Sequence, residues 1–258
     1  MIIGSLNIRE GGSSVKRRRI NHIIVKGNAD IFLIQETKFN SISVGTASSF
    51  WRSKSVDFSF LLSVGASGGL ISLWNTYTIQ VSSSFGGVGY LGLKAIWKEE
   101  VYYIVNWVIA GDFNAVKNSR EGKGSLGLNR SSEWRDFSEF ISLSNLVDIP
   151  SKGKKFTWFG GDGKARSRID RFLVADNIVN KWGILGQMVG NWDISDHCPI
   201  WLICDKEDWG PKPFKANAEW FSNRDFSPFV EKEWKELVVK GRGDYVLKEK
   251  LRLLKERD

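Results

Sequence analysis

The chain contains few of the residues that build disulfide frameworks or nitrogen- and sulfur-based metal sites. Its 258 residues include two Cys and two His. Cys198 and Cys204 share one short apolar segment, and two residues that far apart on a single strand cannot reach disulfide distance. We therefore expect buried thiols in a reducing compartment. With so few Cys and His, a metal site would rely mainly on oxygen ligands.

Long apolar runs and targeting signals are also missing. The longest strongly apolar run covers residues 101–110, and Asn106 interrupts it. This run is far too short to span a bilayer. Residues 1–8 are apolar but lack the charged flank and cleavage pattern of a signal peptide. We expect no membrane association and an intracellular location, in the nucleus or the cytoplasm.

The composition that is present favours a folded protein with a polyanionic partner. Hydrophobic residues make up 42% of the chain, with twelve Trp and sixteen Phe, which is enough for a substantial core and too much for a disordered chain. The formal net charge is +8 and the pI is about 9.4. Such a basic balance favours nucleic acid as a partner.

Apolar segments of strand length outnumber long helices. Helical periodicity predicts helices over residues 15–26, 133–143 and 176–182, whereas residues 41–59 are predicted to be irregular. Strands are predicted at residues 1–8, 30–37, 68–74, 89–97, 155–159 and 167–174, and at the end of 193–204. This pattern predicts an α/β (α+β) fold, with two β-sheets in a sandwich and helices on the outside.

Polar side chains that can handle phosphate stand where the predicted strands end. Asp112 and Asn114 follow an apolar run two residues apart, so they point to the same face if the strand continues. The carboxylate can orient a water or help bind a metal, and the uncharged amide can hydrogen-bond a phosphate oxygen. Alone, this pair also suits an ordinary turn. Comparable positions are occupied by Asn7, Glu36, Asp170, Asp196 and His197.

Each of these residues has a plain structural explanation when it is taken by itself. Asn7 and Glu36 could be ordinary strand-end residues, although magnesium also favours one or two carboxylates together with water and phosphate. His197 could be a loop histidine without a role. Three arginines near Asp170 could contact backbone phosphates or could be solvated loop charges. They are Arg166, Arg168 and Arg171.

Taken in order, six segments resemble the endonuclease/exonuclease/phosphatase superfamily, which has the DNase I-like fold. Within it, they are most similar to the endonuclease domain of plant LINE-type retrotransposons. Each segment is weak alone, but the ordered set covers nearly the whole chain. The segments are residues 5–9 (SLNIR), 34–37 (IQET), 110–116 (AGDFNAV), 156–159 (FTWF), 167–173 (SRIDRFL) and 195–199 (SDHCP).

The resemblance implies a Mg²⁺- or Mn²⁺-dependent enzyme that nicks DNA. It implies that Glu36 holds the divalent cation and that Asn7 helps to place the cation and the phosphate. Such chemistry needs an oriented water, a Lewis acid on the phosphate and stabilisation of the charge that develops there. Oxygen ligands from a carboxylate and an amide suit this purpose.

The resemblance also implies the remaining catalytic roles. Asp112 would orient or deprotonate the attacking water, and Asn114 would bind a phosphate oxygen. His197 would contact the scissile phosphate, with Asp170 fixing the tautomer and orientation of its imidazole. A carboxylate partner is a simple way to keep a histidine cationic near an anion. Asp196 would support the water or the metal.

The character of the sequence changes after Cys204. We predict a nuclease-like domain over residues 1–204, a charged and Pro-bearing linker over 205–225, and a charged helical tail over 226–258. Residues 210–214 (GPKPF) resemble the sequence that precedes the reverse transcriptase in those retroelements. The resemblance implies a downstream reverse transcriptase domain in the parent element. We expect a monomer.

One connection of the family has no counterpart here. In the family, the strand that resembles residues 102–106 leads into a loop and a helix before the strand that carries Gly-Asp-x-Asn. Here Asn106 joins Trp107 directly, although a crossover between parallel strands takes about a dozen residues. Two strands must therefore fuse, or one must leave the sheet, and we expect impaired activity. The alternatives are a catalytically inactive retroelement remnant and a phosphatase acting on small phosphoesters.

Overall fold

The structure is a computed structural model that describes most of the chain. It describes residues 1–64, 67–97, 107–124, 131–161, 163–204 and 226–239, together with 246, 249, 250 and 253. The chain divides into two compact units, Met1–Lys206 and Glu207–Asp258. The predicted linker, residues 205–225, lies outside the described residues. Among the described residues, no helix has the length and apolarity needed to span a bilayer.

The first unit is built mainly from short strands. The strands are β1 (Ile2–Asn7), β2 (Ile31–Gln35), β3 (Val56–Val64), β4 (Ser67–Asn75), β5 (Gln80–Gly87), β6 (Tyr90–Ile96), β7 (Val108–Asp112), β8 (Gly122–Lys123), β9 (Leu146–Asp148), β10 (Ser151–Lys152), β11 (Trp158–Phe159), β12 (Arg166–Ser167), β13 (Asp170–Ala175), β14 (Ile184–Val189) and β15 (Ile200–Cys204). The helices are α1 (Ser14–Lys26), α2 (Val44–Ser48), α3 (Ser131–Leu143) and α4 (Asp176–Val179), with a 3-10 turn at Ser119–Glu121. The second unit contains α5 (Phe226–Glu236).

The largest sheet has seven strands in the order β10-β14-β15-β1-β2-β4-β3. Its outer face is covered by α1, which begins where the Ser13 side chain accepts a hydrogen bond from the Lys16 backbone N–H at 3.4 Å. Ile20 and Ile24, one helical turn apart, are fully buried against Phe32 and other side chains of this sheet.

A three-stranded sheet, in the order β7-β13-β9, packs on the inner face of the large sheet. Between the two sheets lies a core to which Ile3, Phe172 and Ile200 each contribute a buried side chain. The opposite face of the small sheet carries Leu173, which packs with Ile141 of α3. The predicted two-sheet sandwich flanked by helices is therefore confirmed.

The sequence pattern missed several elements that have weak or mixed periodicity. Residues 41–59, predicted to be irregular, contain α2 and the start of β3. Neither β5 nor β14 was predicted. β5 is Ser-rich and mostly exposed, and β14 interrupts its apolar residues with glycine and glutamine, so neither shows clean alternation. Two smaller sheets, β11-β12-β8 and β5-β6, complete the described part of this unit.

The predicted fusion of two strands concerns residues 101–110. Residues 98–106 lie outside the described residues, and β7 begins at Val108. Within the described residues, β7 pairs with β13 on one edge only. The missing connection therefore stays a prediction.

Candidate active site

The candidate site begins with two carboxylates on neighbouring strands. Asp112 ends β7, Asp170 begins β13, and the antiparallel register places them directly opposite each other. Phe172 and Val174, which share the parity of Asp170, point into the core between the two sheets. The backbone N–H of Phe113 donates to the carbonyl of Ile169, so these two residues form a hydrogen-bonded pair. Asp112 and Asp170, the neighbouring pair, are therefore a non-hydrogen-bonded pair, in which side chains approach most closely.

His197 lies between these two carboxylates. Its Nδ1 is 3.1 Å and 3.0 Å from the two carboxylate oxygens of Asp170, and its Nε2 is 3.8 Å from Oδ2 of Asp112. The three side chains are almost fully buried, with side-chain exposures of 7%, 3% and 1% for Asp112, Asp170 and His197. Like charges directly opposite each other across two strands are destabilising, and a protonated imidazole between them offsets that repulsion.

The pKa values of the cluster reflect this balance. Burial, followed by the negative charge of Asp170, raises the pKa of Asp112. For His197, burial acts to lower the pKa, but the hydrogen bond and charge of Asp170, with the charge of Asp112, outweigh it and raise the pKa. His197 therefore holds its proton more tightly than a free histidine does.

Two asparagines donate hydrogen bonds to the carboxylate of Asp112, one from its side chain and one from its backbone. The Asn7 side chain, at the end of β1, donates from Nδ2 to Oδ2 of Asp112 at 3.3 Å. The backbone N–H of Asn114 donates to Oδ1 of Asp112 at 2.8 Å, closing a turn two residues after the strand. The structure thus brings together Asn7, Asp112, Asp170 and His197, and Asn114 adjoins them through its backbone.

The backbone is strained where these strands end. Arg9, Glu36 and Asn114 have φ values of 58°, 50° and 49°, in the left-handed region that residues with a Cβ avoid. They follow the last residues of β1, β2 and β7 by one or two positions. Such strain of about 1–3 kcal/mol per residue persists where surrounding structure enforces it, and it concentrates at functional sites.

Glu36 stands apart from the buried cluster. It follows β2 directly, and β2 pairs with β1 so that Gln35 lies beside Asn7. The Glu36 side chain is half-buried and forms no hydrogen bond or ion pair with the described residues. Among the described residues, the acidic and histidine side chains whose ligand atoms lie within 4.8 Å of one another are Asp112, Asp170 and His197. Glu36 is not part of this group.

Asp196 is held by residues other than those of the cluster. Its Oδ2 accepts a hydrogen bond from Trp158 Nε1 at 2.9 Å and lies 2.8 Å from Nη2 of Arg9. The backbone N–H of Phe159 also donates to the carbonyl of Asp196 at 2.9 Å. These contacts fix the loop that presents His197.

Arg168 and Arg171 cannot contact DNA in this structure, which corrects the prediction that they bind phosphate. Their side chains are 9% and 0% exposed, so they are not solvated loop charges either. Arg168 bonds Asp148 through Nη1 and Nη2 at 2.9 Å and 2.7 Å, and Arg171 bonds Glu121 and Asp148 at 2.5 Å and 2.9 Å. With Lys117, whose Nζ lies 3.4 Å from Oδ2 of Asp148, three cations and two carboxylates form a structural network.

Arg166 differs from the other two arginines. It is half-buried, and its guanidinium lies 5.4 Å from the centre of the Phe156 ring. Among the described residues, Arg166 forms no ion pair, unlike Arg168 and Arg171. Its contact with nucleic acid stays a prediction.

Several residues that support the site could not be predicted from the sequence. Thr157 and Trp158 belong to the segment FTWF, but nothing in that segment indicated a role for either side chain. Gln187 interrupts an otherwise apolar strand, and Glu121 lies in a polar loop. Their partners are far away in the chain, so no local pattern could identify them.

A family model described as the Endonuclease/Exonuclease/phosphatase family matches residues 4–197, which contain all of the cluster. The chain belongs to this family. Membership confirms the resemblance inferred from the ordered segments. Comparison with curated protein sequences finds no significant match.

Solved structures of this family share the fold. The AP endonuclease LMAP from Leishmania major has a TM-score of 0.62 and 14% sequence identity, over 78% of this chain and 86% of that one. The 3' phosphatase NExo from Neisseria, bound to product DNA hairpin, has a TM-score of 0.59 and 14% identity over 80% and 99%. The endonuclease domain of TRAS1, a telomere-specific non-LTR retrotransposon, matches less well, with a TM-score of 0.47 and 14% identity over 79% and 97%.

Proposed function

We propose that this protein is a divalent-metal-dependent phosphodiester hydrolase that nicks DNA. The observation that carries the proposal is the arrangement of Asp112 opposite Asp170, with His197 between them at 3.8 Å and 3.0 Å. This arrangement combines a buried carboxylate with a histidine whose proton is held by a second carboxylate. Both parts serve phosphodiester hydrolysis.

Each residue of the cluster has a role that its contacts support. Asp112 orients the attacking water and accepts its proton, because its raised pKa makes it a better base than an ordinary aspartate. His197 stabilises the negative charge that develops on the phosphate, and Asp170 keeps its imidazole cationic and correctly oriented. Asn114 hydrogen-bonds a phosphate oxygen, and Asp196 supports the water or the metal.

A divalent cation fits the residues at the open end of the strands. With His197 protonated, Asp112, Asp170 and His197 leave one negative charge in excess, and the unpaired Glu36 adds another. An anionic phosphate would be repelled from such a site. Glu36 and Asn7 offer the hard oxygen ligands that Mg²⁺ or Mn²⁺ prefers. The ion would supply Lewis-acid stabilisation of the phosphate.

DNA is the substrate that the charge of the chain and the family neighbours favour. The net charge of +8 suits a polyanion better than a small phosphoester. Structural neighbours with the same fold include an AP endonuclease and a phosphatase bound to DNA. The retroelement-like motifs favour a nicking module that precedes a reverse transcriptase, acting as a monomer in the nucleus or the cytoplasm.

Reduced activity is the second part of the proposal. Within the described residues, β7, which carries Asp112, has a paired strand on one edge only. A displacement of about 1 Å at a catalytic group can cost roughly a hundredfold in rate. An inactive remnant is the limiting case of this effect.

The direct test is nicking of supercoiled plasmid by the full chain with Mg²⁺ or Mn²⁺, with and without excess chelator. A duplex with an abasic site and an inositol phosphate serve as parallel substrates. We expect metal-dependent nicking that His197→Gln abolishes, and little hydrolysis of the inositol phosphate. Nicking that continues undiminished in excess chelator would disprove the metal dependence, and preferred hydrolysis of the inositol phosphate would disprove DNA as the substrate.

A second experiment tests the missing connection. Inserting a family-like loop and helix between Asn106 and Trp107 is expected to raise both the nicking rate and the melting temperature. Equal rates for the unmodified chain and the insert-restored chain would contradict the proposed impairment. No nicking by either chain, with both folded, would favour a remnant.

A further inference from the structure

The backbone of Asp170 lies on a strand edge that has no neighbouring strand at that point. β9 pairs with β13 only from Leu173 to Ala175. Asp170 and Phe172 lie closer to the start of β13, so their backbone groups on this edge need other partners. The carbonyl of Phe172 accepts the backbone N–H of Ile149 at 3.0 Å, and two fully buried side chains from different parts of the chain bind the other three groups.

The first of these side chains is Thr157, which precedes β11 and is 0% exposed. Its Oγ1 accepts hydrogen bonds from the backbone N–H groups of Ile169 at 3.1 Å and Asp170 at 3.0 Å. One hydroxyl oxygen has two lone pairs and can accept both. The carbonyl of Thr157 accepts the N–H of Cys198 at 2.7 Å. Thr157 is thus bonded both to Asp170 and to the residue that follows His197.

The second side chain is Gln187 of β14, which is also 0% exposed. Its Oε1 accepts the backbone N–H of Phe172 at 2.9 Å, and its Nε2 donates to the carbonyl of Asp170 at 3.2 Å. A side-chain amide has the same donor and acceptor groups as a peptide. Gln187 therefore replaces the strand that is missing from this edge.

We propose that Thr157 and Gln187 are positioning residues that set the hydrogen bond between Asp170 and His197. Together they hold the N–H and the C=O of Asp170, while the carbonyl of Thr157 holds the loop of His197. A functional geometry of this kind must be held within about 0.5 Å by groups that are themselves locked in place. The consequence for catalysis rests on the proposed function, but the hydrogen bond itself can be observed in the resting protein.

Proton-detected NMR of the full chain, labelled with ¹⁵N-histidine and treated with chelator, tests this directly. The chain has two His, so loss of a signal in His197→Gln assigns the Nδ1–H that faces Asp170. Thr157→Val removes the hydroxyl with little change of shape. Gln187→Met removes both hydrogen bonds to β13, together with the 3.4 Å hydrogen bond from Nε2 to the Ser151 hydroxyl. We expect this signal to shift or to broaden beyond detection in both variants and to return in Thr157→Ser.

A matched control separates positioning from general destabilisation. Ile20→Val removes a methylene from the core between α1 and the large sheet, without touching Asp170 or His197. We expect it to lower the melting temperature and to leave the Nδ1–H signal unchanged. A wild-type signal in both Thr157→Val and Gln187→Met would overturn the proposal, as would an equal perturbation in Ile20→Val. If Thr157→Val does not fold, the Nδ1–H signal of Gln187→Met alone tests the proposal.

Nicking kinetics give the second readout. We expect kcat to fall about tenfold to a hundredfold in Thr157→Val and Gln187→Met, with KM nearly unchanged and with Thr157→Ser close to the unmodified chain. If neither the unmodified chain nor the insert-restored chain nicks DNA, the proposed function fails, and the NMR result still decides the positioning roles.

Discussion

Strand β13 carries two buried charged clusters, one on each face, and they balance their charges in opposite ways. On the inner face, Asp170 shares His197 with Asp112, so two carboxylates depend on one histidine. On the outer face, Arg171, the next residue, joins Arg168 in a network with Glu121 and Asp148. Lys117 also lies 3.4 Å from Asp148, so the outer network has three positive charges and two negative ones.

The pKa directions record the same contrast. In the outer network, burial acts to raise the pKa of Glu121 and Asp148, but hydrogen bonds and charges from Arg171 and Arg168 outweigh it and lower both values. In the inner cluster, the pKa of Asp112 is raised. A satisfied network stabilises the fold, whereas a cluster left short of positive charge is ready for a proton, a cation or a reaction.

Asp170→Asn should have the largest effect, and that effect should be on activity. Without the carboxylate, His197 loses its orientation and its raised pKa, and the loss of such a partner costs about 10⁴-fold in related hydrolytic triads. Circular dichroism should show a retained fold, because the substitution keeps the shape of the side chain. In a double-mutant cycle with His197→Ala, the added loss should be small. A loss as large in the His197→Ala background as in the unmodified chain would show that Asp170 does not act through His197.

Arg171→Met should have the next largest effect, on stability. It leaves Glu121 without the 2.5 Å contact and weakens the hold on Asp148. Breaking a buried ion pair by removing one partner costs about 3–5 kcal/mol, or roughly 10 °C in melting temperature for a domain of this size. Thermal unfolding measures this loss. An unchanged melting temperature would mean that the network contributes little to stability.

The two clusters should also respond to opposite ends of the pH range. The lowered pKa values of Glu121 and Asp148 contribute stability above their unfolded values of about 4, and this stability is lost as pH falls through the folded values. The raised pKa of His197 contributes stability that is complete below about 6.5 and is lost as pH rises through its folded value.

Urea unfolding between acidic and basic pH can separate the two contributions. The difference in free energy of unfolding between the unmodified chain and Arg171→Met should shrink in acid. The difference between the unmodified chain and His197→Gln should shrink as pH rises above neutral. Differences that stay constant across the pH range would refute the assignment of these groups.

Arg166→Ala should have the smallest effect, on DNA binding alone. If Arg166 contacts one phosphate, its removal should lower the salt slope of DNA binding by about 1. Fluorescence anisotropy over a range of salt concentrations gives this slope. Arg168→Met should leave the slope unchanged, because Arg168 is bound to Asp148 and Glu121. Equal slopes for Arg166→Ala and the unmodified chain would remove Arg166 from the DNA interface.

The sequence by itself determined the family and the sandwich, and it identified candidate residues of the site. Ordered short segments carried the family resemblance. Apolar segments that end in polar residues indicated Asn7, Asp112 and His197 as candidate site residues. These features are local in the chain, or depend only on its order, so a pattern can reveal them.

The tertiary structure alone decided what surrounds those residues. Arg168 was predicted to contact phosphate or to be a solvated loop charge, but it is buried, and its partners Asp148 and Glu121 lie 20 and 47 residues away. Asp170 and His197 are 27 residues apart, and Gln187 reaches Asp170 from a strand of the other sheet. Whether a buried charge is satisfied depends on contacts between distant segments, and those exist only after the two sheets have packed together.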